Sequence, residues 1–379
     1  MKKILFILII FFTCLGCDPK RPPSPLKTYY IESVFDKDSK SIFLDDISSD
    51  LKIIPLETSS NILINYISKV YLHNDLLFVL HGDVCSVFDL NGRYLRDIGR
   101  KGQGPGEYIS VYDVFFKDDE IFLYDALMLS VFHYVRNGQF ICRIPVSDYF
   151  REFISAEDKF FVGFLMPHAG VHKRIVFFDW EGQYLDSISH DETYDNPSAS
   201  FYPTDGSFFV YNNTLFKEGY NDTVFRITLD RKLLPEYIID VGKYSRTYKD
   251  RILFTEKYES GRSVEVCFEN NQYVILIEIG CLQRKEYIFI DKQQESAEKV
   301  RFFYNEKYLE LILKEEEYLN LNPLSGFTSD SGKPVMIDDG SPTFRINNVS
   351  NDGKILIGIE KSLHPEDNPV IVLVSIKDN

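Results

Sequence analysis

The chain has 379 residues, of which 44% are apolar and 15% aromatic, so it is long enough to bury a large hydrophobic core. Its 42 Lys and Arg residues against 57 Asp and Glu residues give a formal charge of -15 at pH 7. Because binding to nucleic acid or to anionic lipid heads depends on clustered basic residues, this balance argues against a nucleic-acid partner and against a basic membrane-binding patch.

Residues 1–16 have the pattern of a secretory signal peptide. A start carrying two lysines is followed by an apolar run at 4–12 and by small residues before Cys17. The apolar run is shorter than the ~20 residues that a transmembrane helix needs. The order Leu-Gly-Cys resembles the lipobox of bacterial lipoproteins, and this resemblance implies cleavage before Cys17 and acylation of that residue.

Residues 17–50 are predicted to be a tether and N-terminal extension. Positions 18–25 contain four prolines and no hydrophobic side chain, which is typical of a stiff, extended linker. We expect a cell-envelope protein held in the outer membrane by its N-terminal acyl chains. In some bacteria an acidic run after the lipidated cysteine directs lipoproteins to the cell surface, and here only Asp18 is acidic before two basic residues. Both the periplasmic and the surface face therefore stay open.

Residues 51–379 are predicted to form one all-β domain, because short strand patterns recur about every 45 residues. The first copy has β-branched and aromatic runs that end in turn signals, and Asn91-Gly92 is a strong hairpin signal. Its four predicted strands are 68–72, 76–80, 84–90 and 93–98.

Five further copies follow the first, and the repeat predicts a six-bladed β-propeller of four-stranded antiparallel blades. Their spans are 109–144, 150–188, 207–228, 264–303 and 344–376. The sixth copy has only three strands. We predict that residues 51–57 supply its missing outer strand, because pairing the two chain ends in one blade removes an open sheet edge.

Two stretches interrupt the repeat. Apolar residues at helical spacing predict a short amphipathic helix at 304–319, inserted between blades five and six, and 243–259 is a second helical candidate. Such insertions either build a binding face or pack on the outer rim.

Three short motifs carry a resemblance to a known group. They are IPLE at 54–57, GQGPGEY at 102–108 and NPVIVLV at 368–374. With the lipobox, they make residues 53–376 similar to the six-bladed β-propeller lipoproteins of gut-type Gram-negative bacteria, which are related in architecture to NHL-repeat propellers. The resemblance implies a fold and an envelope location rather than an activity.

No catalytic residue, metal site or cofactor is predicted. The glycine-rich loop at 99–107 lacks the Gly-Lys-Ser/Thr of a phosphate-binding loop, so we interpret it as a tight crossing between blades. His168 and His172 are separated by the spacing of a helical metal pair, but Pro167 and Gly170 argue against a helix. Recurrent aspartates after the third strands are predicted to bind backbone N–H groups in the following turn. They are Asp89, Asp179 and Asp291.

Cysteines outside the signal peptide and lipobox are widely and irregularly spaced. Their positions, Cys85, Cys142, Cys267 and Cys281, lack the paired spacing of a zinc site. Cys85 and Cys142 lie inside strand patterns of different repeats, and we interpret these cysteines as small buried thiols rather than as disulfide partners.

Aromatic residues near the starts of the inner strands give the best functional clue, because tyrosine suits stacking on sugars or gripping a peptide. The candidate ligand-binding residues are Glu107, Tyr108, Tyr112 and Tyr202. We predict a binding or scaffolding module for a glycan, peptide or protein partner. The alternative is a propeller enzyme, either metal-dependent and lactonase-like or carbohydrate-cleaving, with its site at the channel mouth.

Overall fold

A computed structural model describes residues 25–156, 159–165, 173–189, 206–247, 249–250, 255–279, 286–304, 343–350, 352–360, 362 and 367–378. These residues form six sheets arranged as a six-bladed β-propeller. Each blade has a core of four antiparallel strands, in which the first strand is innermost. Within the described residues, no helix is long and apolar enough to cross a membrane.

Blades 1 to 3 follow the simple order of four consecutive strands. Blade 1 contains Ile67–His73, Leu76–His81, Val84–Asp89 and Tyr94–Asp97. Blade 2 contains Asp113–Lys117, Glu120–Asp125, Ser130–Val135 and Phe140–Pro145. Blade 3 contains Glu152–Ala156, Phe160–Phe164, Lys173–Phe178 and Tyr184–Ser189. A small parallel pair, Arg100–Lys101 with Glu107–Tyr108, lies in the crossing from blade 1 to blade 2.

Blades 4 to 6 each take up one strand from the N-terminal segment. Blade 4 contains Gly206–Tyr211, Asn213–Glu218, Thr223–Ile227 and Leu233–Asp240. Blade 5 contains Ser263–Glu269, Tyr273–Ile279, Tyr287–Asp291 and Ser296–Phe303, with Thr343–Phe344 added beside its last strand. Blade 6 contains Ile346–Val349, Ile355–Glu360, Val370–Ile376 and the N-terminal strand Ser48–Pro55. The helices are short: Glu32–Val34, Leu44–Ile47, Gly242–Tyr244 and Glu256–Ser260.

The N-terminal segment runs along the outside of three blades. Strand Lys27–Tyr30 pairs in parallel with the outer strand of blade 4, and Lys40–Phe43 pairs in parallel with that of blade 5. Ser48–Pro55 then pairs antiparallel with Val370–Ile376. The sequence predicted this last pairing with a strand at 51–57, and it predicted no strand before that. After Pro55, the backbone N–H of Leu56 donates to the carbonyl of Pro369. The N–H of Glu57 donates to the carbonyl of Gly92 in blade 1, so the strand ends at Pro55.

Hydrophobic side chains fill the six junctions between neighbouring blades. Both faces of the inner strands are buried, so alternate residues serve opposite junctions: Phe78 and Leu80 pack towards blade 2, whereas Leu77 and Val79 pack towards blade 6. Because both faces of these strands are buried, their sequences are nearly continuous apolar runs, such as LLFVLH in Leu76–His81. The ring is therefore held by six separate cores rather than by one.

The turns after the third strands follow the prediction for the recurrent aspartates. The Asp89 carboxylate accepts hydrogen bonds from the N–H groups of Asn91 (2.9 Å) and Arg93 (3.0 Å). Asp179 and Asp291 each accept two such bonds from their own turns. These three side chains are structural, as predicted.

Several predictions concern residues outside the described part of the chain. They are the signal peptide, the lipidation site Cys17, the histidines His168 and His172, the ligand residue Tyr202, the thiol Cys281, and all but the first residue of the helical insertion at 304–319. Among the described residues of the second helical candidate, 243–259, helix is present in Gly242–Tyr244, at 249–250 and in Glu256–Ser260.

Candidate functional site

The first strands of all six blades surround a central channel, which contains a cavity of about 340 Å³. Its lining combines polar groups with aromatic rings. On the first strands the polar and charged lining residues are Lys69, Asp113, Glu152, Glu265, Asn347 and Asn348, and the aromatic ones are Tyr71, Phe115, Phe153, Phe208, Phe209 and Phe268. The polar residues lie towards the starts of their strands, so they face one end of the channel. Ser350, which follows the first strand of blade 6, also lines the cavity.

At the other end, blades 4 and 6 touch across the channel. The first turn of blade 6 ends at Gly353, where φ is +74°. A Cβ atom built on Gly353 would lie 2.3 Å from the carbonyl oxygen of Val210 in blade 4. Because these two blades are not neighbours in the ring, the contact narrows the channel at this end.

Asp113 ties three blades together beside the cavity. Its buried carboxylate accepts hydrogen bonds from its own strand at Val114 (3.0 Å), from Phe153 of blade 3 (3.2 Å), and from the Tyr71 hydroxyl of blade 1. The Lys69 ammonium, also in blade 1, lies 3.3 Å from the same carboxylate. This ammonium balances the buried charge, and these bonds occupy the acceptor capacity of Asp113.

Glu152 and Asn347 make the same kind of bond at other junctions. Glu152 accepts from the N–H of Phe208 in blade 4 (3.0 Å), and Asn347 accepts from Val70 in blade 1 (3.1 Å). Burial raises the pKa of Glu152, and the nearby positive charges of Lys69 and Arg151 oppose this rise. A side chain on one inner strand thus bonds the backbone of the next at several junctions, which leaves the cavity wall rigid.

The electrostatics of the cavity disfavour anions. Among the described lining residues, the carboxyl groups of Asp113, Glu152 and Glu265 outnumber the one cationic group, the ammonium of Lys69. A carboxylate ligand or a phosphate would meet net repulsion. The wall offers both acceptors and donors to a neutral polar molecule, and aromatic faces to its apolar surfaces.

A pair of tyrosines, Tyr112 and Tyr149, lies at the end of the channel where the polar residues are. Their ring centroids are 5.9 Å apart, and the Lys69 ammonium lies 5.9 Å from the centroid of Tyr112. Tyr149 is 45% exposed. Burial and the hydrogen bond with Tyr149 raise the pKa of Tyr112, so its phenol is neutral at physiological pH. We call these two residues the tyrosine pair.

Of the other predicted ligand residues, Glu107 and Tyr108 lie away from the cavity lining. The Glu107 carboxylate accepts from the N–H of Gly104 (2.8 Å) and pairs with Arg100 (2.5 Å). Tyr108 is fully buried between blades 1 and 2, and its hydroxyl donates to the carbonyl of Ile98 (2.9 Å). Glu107 and Tyr108 therefore stabilise the conformation of the glycine-rich crossing. Tyr112, by contrast, contacts the cavity residue Lys69.

Sequence reasoning missed the polar residues of the channel, although a signal exists. Each one on a first strand lies within the first three residues of that strand, as Lys69 does in ISKVYLH and Asp113 in DVFFK. A polar residue recurring at this position of successive blades marks the axis of a propeller.

One other side-chain group, formed by Ser86, Asp97 and His81, resembles a catalytic set but is built differently. The Ser86 hydroxyl donates to Asp97 (2.6 Å) and lies 2.7 Å from Nε2 of His81, and Ser86 is fully buried. A serine that donates to the carboxylate is not deprotonated by the histidine, so this row is a cross-strand network. Throughout the described part of the chain, no three His, Cys, Asp or Glu side chains are placed to hold a metal ion.

Comparisons with known proteins agree with this architecture. Residues 26–375 match the family described as "Domain of unknown function (DUF4934)". A crystal structure of a Bacteroides fragilis NCTC 9343 protein described as exported is similar with a TM-score of 0.62 at 15% identity, covering 93% of this chain and 99% of that one. A member of the DUF4221 family from Bacteroides vulgatus ATCC 8482 has a TM-score of 0.50 at 10% identity, covering 87% and 97%. No curated protein matches the chain.

Proposed function

We propose that this chain, which belongs to the DUF4934 family of unknown function, is a lipid-anchored envelope propeller that binds a neutral glycan at its central cavity. The signal sequence and the cysteine at position 17 support export and anchoring by acyl chains. The similar Bacteroides fragilis protein is described as exported, which agrees with this location. A binding rather than a catalytic role rests on the wall of the cavity, whose carboxylates serve as backbone acceptors between blades.

The observation that carries the proposal is the tyrosine pair beside a rigid cavity of about 340 Å³. Ligand pockets range from ~300 to 1,000 Å³, so this one fits a group of the size of one or two sugar rings. Sugar hydroxyls donate to carboxylates such as Glu152 and accept from an ammonium such as Lys69. The C–H faces of a sugar ring pack on tyrosine rings.

A glycan array followed by calorimetry tests the proposal. We expect binding to neutral glycans and weak or no binding to sulfated and sialylated ones, because the cavity is acidic. Tyr112→Ala should weaken binding by about tenfold, since it removes one aromatic face. Tyr184→Ala, on the exposed outer strand of blade 3, is the matched control and should bind like the wild type.

Either of two results would overturn the glycan proposal: an array with no neutral glycan bound, or binding that is equally strong in Tyr112→Ala. Metal analysis of the purified protein addresses the enzyme alternative, because stoichiometric calcium or zinc would favour a lactonase-like site. Anchoring is tested separately: Cys17→Ser should move the protein from the membrane to the soluble fraction.

A further inference from the structure

A second group of reactive side chains lies in blade 2, outside the cavity lining. Cys142 is exposed on the outermost strand, and its sulfur lies 3.9 Å from Nδ1 of His133 on the adjacent strand. The two residues are direct partners in the sheet register, so the backbone fixes their approach.

The imidazole of His133 is held in place from two other sides. Its second nitrogen, Nε2, lies 3.5 Å from a carboxylate oxygen of Glu120, one strand further in. Its ring stacks on Phe122 with centroids 4.4 Å apart and an interplanar angle of 15°. Thiol, imidazole and carboxylate therefore stand in sequence, which is the order of a nucleophile, its base and the group that orients the base.

We propose that Cys142 is a thiol–disulfide exchange site that reacts with low-molecular-weight disulfides, with His133 as general base and Glu120 as the residue that positions it. In this reaction the Cys142 proton passes to Nδ1 of His133 as the sulfur attacks one sulfur of the disulfide. A new S–S bond forms to Cys142 while the original S–S bond breaks. The leaving thiolate takes up the proton, so Cys142 is oxidised and the disulfide is reduced by the same electron pair.

The charges around the pair explain why a base is needed. Burial, with Glu120 and Glu181, raises the pKa of the Cys142 thiol, so the thiol is protonated at neutral pH. Burial lowers the pKa of His133, with Glu120 opposing this and Lys117 adding to it, so the imidazole is neutral and able to accept a proton. The protein thus pairs a protonated nucleophile with a neutral base.

The same charges predict which disulfides react. Glu120 and Glu181 outweigh Lys117 near the thiol, so a cationic disulfide is attracted and an anionic one repelled. Among the described cysteines, Cys85 is buried, as predicted, and Cys267 is half-buried. The prediction of a buried thiol is wrong for Cys142, which is exposed because it lies on the outermost strand of its blade. Reaction is therefore expected at Cys142 first.

The test measures mixed-disulfide formation by mass spectrometry of the Cys142 peptide, using the full-length protein in detergent. The probes are cystamine, a dication, and dithiodiglycolate, a dianion. We expect cystamine to react several-fold faster at low salt, with the difference shrinking as salt screens the charges. Glu181→Gln should reduce this preference, because it removes a charge without touching the base.

His133→Gln should slow the reaction at pH 7 by about tenfold to a hundredfold and should bring it close to the wild-type rate at high pH, where the thiolate forms without a base. Glu120→Gln should shift the acid limb of the rate profile to lower pH, because the imidazolium loses its carboxylate partner. Far-ultraviolet circular dichroism checks that each variant is folded. Equal rates for wild type and a folded His133→Gln at pH 7, or faster labelling of Cys85 or Cys267, would overturn the proposal.

Discussion

The side-chain oxygen of Asn368 accepts a 2.6 Å hydrogen bond from the backbone N–H of Ile64, although 304 positions separate the two residues. The nitrogen of the same amide donates to the carbonyls of Glu57 (2.6 Å) and Ile62 (3.2 Å). Asn368 is 1% exposed and lies two residues before Val370–Ile376, the third strand of blade 6. One buried amide thus fastens the segment that leads into blade 1 to the end of the chain.

Asn368→Ala is expected to lower the free energy of unfolding by about 2–6 kcal/mol, because two buried backbone groups, the Ile64 N–H and the Ile62 carbonyl, each lose a partner at about 1–3 kcal/mol. Urea unfolding measures the change. Asn137→Ala is the control: this exposed turn residue accepts one bond, from the N–H of Gln139 (2.9 Å). A cost for Asn368→Ala no larger than that of the control would contradict the role assigned to the amide.

Gly353→Ala should destabilise the ring where blades 4 and 6 meet. Its methyl group would lie 2.3 Å from the Val210 carbonyl oxygen, and the backbone has a φ of +74°, which side chains rarely adopt. We expect a loss of about 2–4 kcal/mol in urea unfolding. Gly82→Ala separates the two causes, because Gly82 has a φ of +49° and no atom within 4 Å of the added methyl. If Gly353→Ala and Gly82→Ala lower the free energy of unfolding equally, the contact between Gly353 and Val210 contributes nothing to stability.

The turn at Asn91-Gly92 shows why much of the ring could be predicted from sequence. Its conformation depends on neighbours in the chain: Gly92 has a φ of +80°, and Asp89 binds the turn's own N–H groups. The alternation of apolar and polar residues in strands and the residue types of turns also depend on nearby residues. Because these signals recur six times, they give the number of blades. Prediction works where the information lies within a few residues.

The N-terminal strands show where such reasoning ends. Lys27–Tyr30 and Lys40–Phe43 have four residues each and become strands by pairing with residues more than 200 positions later. Nothing in four residues specifies that partner. The convergence of Lys69 and Asp113 on the channel likewise depends on the closure of the ring. Tyr108 fits a binding site by residue type, yet its position in the crossing buries it.

The ion pair between Arg174 of blade 3 and Glu218 of blade 4 predicts a large single-variant effect. The pair has a 2.5 Å contact, and its side chains are 7% and 4% exposed. Arg174→Met leaves a buried carboxylate without its cation and should cost about 3–5 kcal/mol. Arg174→Met with Glu218→Leu should recover much of this loss, because no isolated charge remains.

Chemical unfolding of both single variants and of the double variant gives the coupling between Arg174 and Glu218. Arg226→Met is the control, since Arg226 pairs with Glu236 at 37% and 39% exposure and should cost about 0–1 kcal/mol. If the double variant is less stable than Arg174→Met alone, the cost of Arg174→Met does not come from the unpaired charge of Glu218.

Glu360 should make stability depend on pH. Burial between blades 5 and 6 raises its pKa from 4.5 to about 7, although the Tyr304 hydroxyl donates to it (2.8 Å) and Arg345 lies near. The folded state holds this proton more tightly than the unfolded chain. The stability that the protonated form contributes below pH 4.5 is therefore lost as the pH rises to about 7.

Glu360→Gln stays neutral and escapes this loss, so its free energy of unfolding relative to the wild type should rise with pH. At about 1.4 kcal/mol for each unit of pKa, we expect a gain of about 3 kcal/mol between pH 4.5 and 8. Urea titrations across this range measure it. Glu295→Gln should show no such gain, because the exposed Glu295 pairs with Lys27, which lowers its pKa. A constant difference between Glu360→Gln and the wild type would mean that folding does not raise the pKa of Glu360 above its value in the unfolded chain.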